Sequence, residues 1–151
     1  RKKEKLTVFL IRAGELLAVR RRGEDGLLAG LWEFPNVPGQ RSEQEAKRAL
    51  AGMGLWKECS EDPGEQEELC LRPESPEKAE SLRKLPPAKH IFSHIEWYMT
   101  GYEAVIPPLS EEKREKLRGD GIFFVTRKEL AETYSIPSAF EKYKKIAAAK
   151  S

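Results

Sequence analysis

The run Gly26-Leu27-Leu28-Ala29-Gly30-Leu31-Trp32-Glu33-Phe34-Pro35, followed at Ser42 by a capped helix, decides the reading of this 151-residue chain. Gly23 to Gly30 is glycine-rich and reads as a loop, closed by the compact Leu31-Trp32-Glu33-Phe34-Pro35. Ser42 and Glu45 have the Ser-x-x-Glu spacing of a capping box, in which each side chain satisfies a backbone N–H of the other residue. Ala46, Ala49, Leu50 and Met53 then recur at helical spacing on one face, and Gly52 and Gly54 supply the stop.

Upstream, Leu6 to Ile11 and Glu15 to Arg20 read as two strands joined at Ala13-Gly14. Downstream, Glu58 to Leu85 is rich in Glu, Pro and Ser, has little periodicity, and reads as a long, mostly solvated loop with room for one short helix, which Pro86-Pro87 ends. His90 to Tyr98 and Gly101 to Ile106 carry aromatic and β-branched residues and read as a second antiparallel pair. Ser110 caps a short charged helix reaching about Leu117, and Ile122 to Val125 reads as a strand. Thr126 with Glu129 forms another capping box for a helix to about Glu132. Pro137 suits the first turn of a final helix running toward Ala149. Strands, helix, strands and then helices predict an α+β fold, a mixed β-sheet packed with helices.

A chain of this length holds one domain with a proper core. Its 39% hydrophobic and 34% charged residues suit a folded globular protein, and no apolar run nears the ~18 residues that a membrane helix needs. Arg1-Lys2-Lys3-Glu4-Lys5 leads straight into a strand-like run without the apolar segment of a signal peptide, so a cytoplasmic location is expected. The chain lacks an initiating Met and reads as a fragment of something larger. A net charge of +2, from 27 basic and 25 acidic residues, excludes DNA binding by bulk electrostatics alone. Any nucleic-acid role must rest on local patches or on a neighbouring domain. Cys59 and Cys70 lack Cys-x-x-Cys spacing and read as reduced thiols, neither metal ligands nor a disulfide framework.

The Gly26-to-Pro35 run and its capped helix resemble the entry into the signature helix of Nudix hydrolases. Those enzymes cleave nucleoside diphosphate derivatives with magnesium held by glutamates, in the pattern Gly-x5-Glu-x7-Arg-Glu-(aliphatic)-x-Glu-Glu-x-Gly. Magnesium takes hard oxygen ligands, usually carboxylates. Yet Ala46 to Trp56 contains no Asp or Glu, and in any register the glutamates fall on Arg48, Ala49, Ala51, Gly52 or Met53. The scaffold is retained and the metal site is not.

The second informative segment is His90-Ile91-Phe92-Ser93-His94-Ile95-Glu96-Trp97. On residues alone, His90 and His94 could share a face as metal ligands, but no third ligand is evident; a strand with Phe92 and Trp97 in the core is the plainer reading. Taken with the altered signature helix, Phe-Ser-His ahead of a Trp resembles the C-terminal domain of bacterial MutY-type adenine DNA glycosylases. The resemblance runs from about Leu6 to Tyr143 and includes Ile136-Pro137-Ser138-Ala139-Phe140, which is similar to that family's closing helix.

This resemblance implies a Nudix-like DNA lesion-recognition domain over residues 6–151, with 1–5 as the end of an interdomain connector. Its task would be to recognise 8-oxoguanine opposite adenine and direct adenine removal by an N-terminal catalytic domain that this chain lacks. Phe92, Ser93 and His94 would form the loop that approaches the oxidised base. No catalytic or metal-binding residue and no cofactor are expected in this chain, the family's 4Fe-4S cluster lying in the catalytic domain. The implied partners are double-stranded DNA with 8-oxoguanine:adenine mispairs and that catalytic domain, with no membrane and a monomeric state. Lys89, Lys84 and Arg22, the last within Arg20-Arg21-Arg22, are candidate phosphate contacts. The acidic stretch from Glu58 to Glu80 would have to point away from DNA. Two other readings stay open: a pyrophosphohydrolase drawing ligands from, for example, Glu43, Glu45 and Glu96, and a protein-interaction domain of Nudix-like shape.

Overall fold

Val8-Phe9-Leu10-Ile11 is a continuous apolar run rather than an alternating one, the mark of a strand buried on both faces. In the computed structural model, which describes residues 2–23, 28, 30–57 and 80–149, this run is the middle of β1 (Lys2–Ala13), buried from Thr7 to Ala13. β1 pairs in parallel over its full length with β6 (Ile95–Ile106). β2 (Leu16–Arg21) and β4 (Asn36–Pro38) lie antiparallel on its other side. β3 (Trp32–Glu33) and β7 (Ile122–Thr126) pair with β2, and β5 (Ser81–Ile91) pairs with β6. The result is a seven-stranded mixed sheet of order β3-β2-β1-β6-β5, with β4 and β7 off that path.

Among the described residues, four helices cover the two faces of this α+β fold. α1 (Glu43–Gly52) starts on the expected capping box and ends before Gly54, whose φ of +79° suits glycine. Its buried Ala46 and Leu50 pack on Phe9, Ile11 and Ala104. α2 (Glu111–Gly119), capped by Ser110, adds Leu117 to the same cluster. On the opposite face, α3 (Arg127–Glu132), a 3-10 turn (Ser138–Phe140) and α4 (Glu141–Ala148) bring Leu130, Phe140 and Tyr143 onto Val8, Leu10 and Met99. A buried Arg12 ties the last helix down. Its Nε donates to Glu103 at 3.0 Å and its Nη2 to the Ile146 carbonyl at 2.9 Å.

Two expectations need correction. Ser81 to Leu85 is not the end of a loop but the first half of β5, and Pro86-Pro87 lies inside that strand, where the register shifts between Leu85 and Ala88. β5 is an edge strand, and prolines are tolerated where the missing N–H has no ladder partner. The antiparallel pair also turns elsewhere than expected: Ser81–Ile91 pairs with Ile95–Ile106, and the chain reverses at Phe92-Ser93-His94. Gly101 marks no turn. A Cβ there would stand 2.9 Å from the Tyr143 Cζ, so glycine is needed for close packing in mid-strand.

Lys2 to Lys5, read as connector, are the first residues of β1 and pair with Ile95 to Tyr98. Arg1, Gly26, Leu27, Ala29, both cysteines and the acidic segment from 58 to 79 lie outside the described residues.

Candidate nucleic-acid interface

The β5–β6 hairpin presents the Phe-Ser-His triplet at its tip. The Phe92 N–H donates to the Ile95 carbonyl at 2.7 Å, and the Lys2 N–H donates to the His94 carbonyl at 2.9 Å. The tip is therefore held by its own turn and by the start of β1. Phe92 is half-buried and faces inward, in edge contact with Trp97 at 4.9 Å and with His90 at 4.7 Å between ring centroids. Ser93 and His94 are exposed. Among the described residues nothing hydrogen-bonds the Ser93 hydroxyl or its backbone N–H. The triplet thus divides into one anchor and two outward polar residues.

The three candidate phosphate contacts do not lie together. Paired residues of neighbouring strands share a face, and Lys89 pairs with Tyr98 while Lys84 pairs with Tyr102, on the α1 side. Lys89 Nζ sits 5.2 Å over the Tyr98 ring. Arg22 stands on the opposite face, its guanidinium 5.2 Å over the buried Trp97 and its Nη1 donating to Glu33 at 2.6 Å. Glu33, 2% exposed, also takes Arg20 at 2.8 Å and the Asn36 amide at 2.9 Å. Arg22 is committed to a buried ionic hub that fixes the Trp32-to-Asn36 turn. The register also places Lys3 and Lys5 of β1 on the same face as Lys89, beside Glu96 and Tyr98. Sequence reading missed that grouping, although the Lys3-x-Lys5 alternation was a signal for it.

A magnesium site does not fit α1. Its buried positions are Ala46 and Leu50, and Arg48, Ala49, Ala51 and Gly52 supply no carboxylate. Glu45 is spent on the cap: its Oε1 accepts the Ser42 N–H at 3.0 Å, and this bond holds its carboxyl below the usual range. Glu43 pairs with Lys47 at 3.5 Å, and Glu96 Oε2 accepts the Tyr98 hydroxyl at 2.7 Å. Among the described residues no three His, Cys, Asp or Glu side chains gather to hold a metal ion, and no helix is long and apolar enough to cross a membrane.

Sheet order, capped helix and the Leu-Trp-Glu-Phe-Pro turn ahead of it define a Nudix fold, and the match to the NUDIX domain family covers residues 7–145, so the chain belongs to that family. Within it, the chain is similar to the adenine DNA glycosylases. It is 38% identical over 82 residues to the enzyme of Mus musculus, a segment that is 54% of this chain and 13% of the mouse protein. It is 35% identical over 83 residues to the Homo sapiens enzyme, covering 54% of this chain and 12% of the human protein. The chain thus matches about an eighth of the length of these relatives. The C-terminal domain of mouse MUTYH, solved in complex with human PCNA, shares the fold with a TM-score of 0.59 at 20% identity. That superposition covers 95% of this chain and 86% of that one.

Proposed function

We propose that this chain is the lesion-reading domain of an adenine DNA glycosylase. It recognises 8-oxoguanine opposite adenine through Ser93 and His94, while a separate catalytic domain removes the adenine. The observation that carries this reading is the division of the hairpin tip: Phe92 is anchored on Trp97, while Ser93 stands exposed with its hydroxyl and backbone N–H unengaged by described residues. The similarity to adenine DNA glycosylases supports the assignment to base-excision repair.

The chemistry suits the residue. Guanine presents N7 as an acceptor in the major groove. Oxidation at C8 turns N7 into an N–H donor and adds a carbonyl acceptor beside it. A serine hydroxyl accepts from that N–H while its backbone N–H donates to the carbonyl. Because a hydroxyl also rotates to donate to ordinary N7, Ser93 discriminates by about 0.5–1.5 kcal/mol and not by orders of magnitude. The reading gives this domain no bond-breaking role: from Ala46 to Gly52 α1 carries no carboxylate, and its two glutamates are engaged, Glu45 by the Ser42 cap and Glu43 by Lys47.

The test is a titration of the chain against two duplexes that differ only in 8-oxoguanine or guanine opposite adenine. The expected result is tighter binding to the oxidised duplex, with the preference reduced roughly 2- to 10-fold in Ser93→Ala. Equal affinity for both duplexes would overturn the reading.

A further inference from the structure

Four lysines on β1 and β5, the two strands that flank β6, stand on the uncovered half of the α1 side of the sheet. The registers align Lys5 with Tyr98 and Tyr98 with Lys89, Lys3 with Glu96, and Phe9 with Tyr102 and Lys84. Phe9 and Tyr102 lie in the cluster under α1, which fixes the face. Lys3, Lys5, Lys84 and Lys89 are all exposed. With strands about 4.8 Å apart, Lys5 and Lys89 stand roughly 10 Å from each other across β6. Four residues of β6 separate their row from that of Lys84, about 13 Å along the sheet.

The charge on this face is unbalanced. Among the described residues none of the four lysines is ion-paired to a carboxylate. The acidic groups nearby keep their charge but are outnumbered: Glu96 accepts the Tyr98 hydroxyl, Glu45 closes its own helix cap and Glu43 pairs with Lys47. A groove of about 740 Å³ runs between Lys5, Lys84 and Arg41 on one side and Glu43 and Glu45 of the first turn of α1 on the other, with Tyr102 in its wall. The Tyr102 hydroxyl donates to the Arg41 carbonyl at 2.8 Å, so the groove wall is fixed. The hairpin that carries Ser93 is the direct continuation of β5 and β6, and Lys89 lies four residues, about 13 Å, from Ser93.

We infer that this lysine-bearing face is a second contact with DNA, a floor for the phosphodiester backbone that flanks the base at the hairpin. It rests on the reading of the chain as a DNA-binding domain and is separate from base recognition. Phosphate contacts position without reading sequence. The floor therefore supplies affinity for any duplex, and the hairpin supplies preference. The local patch also answers how a chain of net charge +2 would hold DNA.

The experiment measures binding of the chain to the oxidised and unoxidised duplexes across a salt series. The variants are Lys5→Gln with Lys89→Gln and, as a control of equal charge on the other face, Lys128→Gln with Lys145→Gln. Each phosphate contact adds about 0.9 to the slope of log K against log salt. The floor pair is expected to lower the slope by about 1.8 and weaken both duplexes alike. The ratio between the duplexes should stay unchanged, the control slope should stay at the wild-type value, and arginine at 5 and 89 should restore binding. Equal slopes for floor and control variants overturn the inference. So does an absence of salt-dependent DNA binding in the wild type, which would leave the face to an acidic protein partner. If the floor pair lowers the slope but the wild type shows no preference for the oxidised duplex, the floor stands and the base-reading role of the hairpin fails. Lysines that serve only to keep an edge strand from pairing leave the slope where it was.

Discussion

The Phe92 ring meets Trp97 edge-to-face, with centroids 4.9 Å apart and planes at 73°. Trp97 is only 1% exposed and rests in turn on Phe140 at 5.7 Å. One aromatic chain therefore runs from the closing 3-10 turn through the core to the hairpin tip. It makes Phe92 the residue that sets where Ser93 stands. Edge-to-face pairs add about 0.5–1.5 kcal/mol beyond the area they bury.

Phe92→Ala should destabilise the chain by about 2–3 kcal/mol, below the cost for a fully buried phenylalanine because the ring is half-exposed. It should also abolish preference for the oxidised duplex although Ser93 is intact. Phe92→Leu should recover most of the stability, as it keeps the apolar anchor. Urea unfolding and duplex titration on the same samples check both. Unchanged stability in Phe92→Ala would mean that the ring does not anchor the tip.

The sequence was legible where local chemistry is short-range. Ser42 with Glu45 and Thr126 with Glu129 announce their helix starts because a capping box needs only four residues. The change in the signature helix was equally readable, since it needs only the run from Ala46 to Gly52, which carries no carboxylate. Pro86-Pro87 misled because a proline pair within a strand is acceptable only at an edge, and edge position is a property of the whole sheet. Gly101 misled for a similar reason: what excludes a side chain there is Tyr143, 42 positions away. The grouping of Lys3 and Lys5 with Lys84 and Lys89 depends on parallel pairing of β1 with β6, a long-range register that composition does not carry.

Glu33→Gln should be among the most costly single changes. Its carboxylate collects Arg20, Arg22 and Asn36 while 2% exposed, so removing the charge leaves two guanidiniums facing a neutral amide. Breaking a buried ionic cluster from one side costs about 3–5 kcal/mol, and here about 2–3 because both arginines are partly solvated. A double-mutant cycle with Arg22→Gln should return a coupling of about 1–2 kcal/mol. A coupling near zero would show that the hub does not hold the turn.

Gly101→Ala should cost about 2–3 kcal/mol, since its methyl enters the space of the Tyr143 ring and the sheet has little room to yield. Tyr143→Leu alone leaves a cavity, but combined with Gly101→Ala it should be less damaging than the two single losses summed. Thermal unfolding of the four-protein set measures this. Strict additivity would place the strain elsewhere.

Stability should also fall at alkaline pH through Tyr143. The Tyr143 hydroxyl donates to the Pro86 carbonyl at 3.0 Å, inside a fully buried side chain, and burial pushes it up from 10.0 to about 12. A folded value above the unfolded one means that the unfolded state loses its proton first. The stabilisation is then complete below pH 10 and is lost as pH rises from about 10 to 12. Two units correspond to roughly 2–3 kcal/mol. Tyr143→Phe should be about 1 kcal/mol less stable at pH 7, for the lost hydrogen bond, yet show a flatter decline above pH 10. Denaturation midpoints at pH 8, 10 and 11.5 decide it, and parallel declines in the two proteins would assign the alkaline loss to other groups.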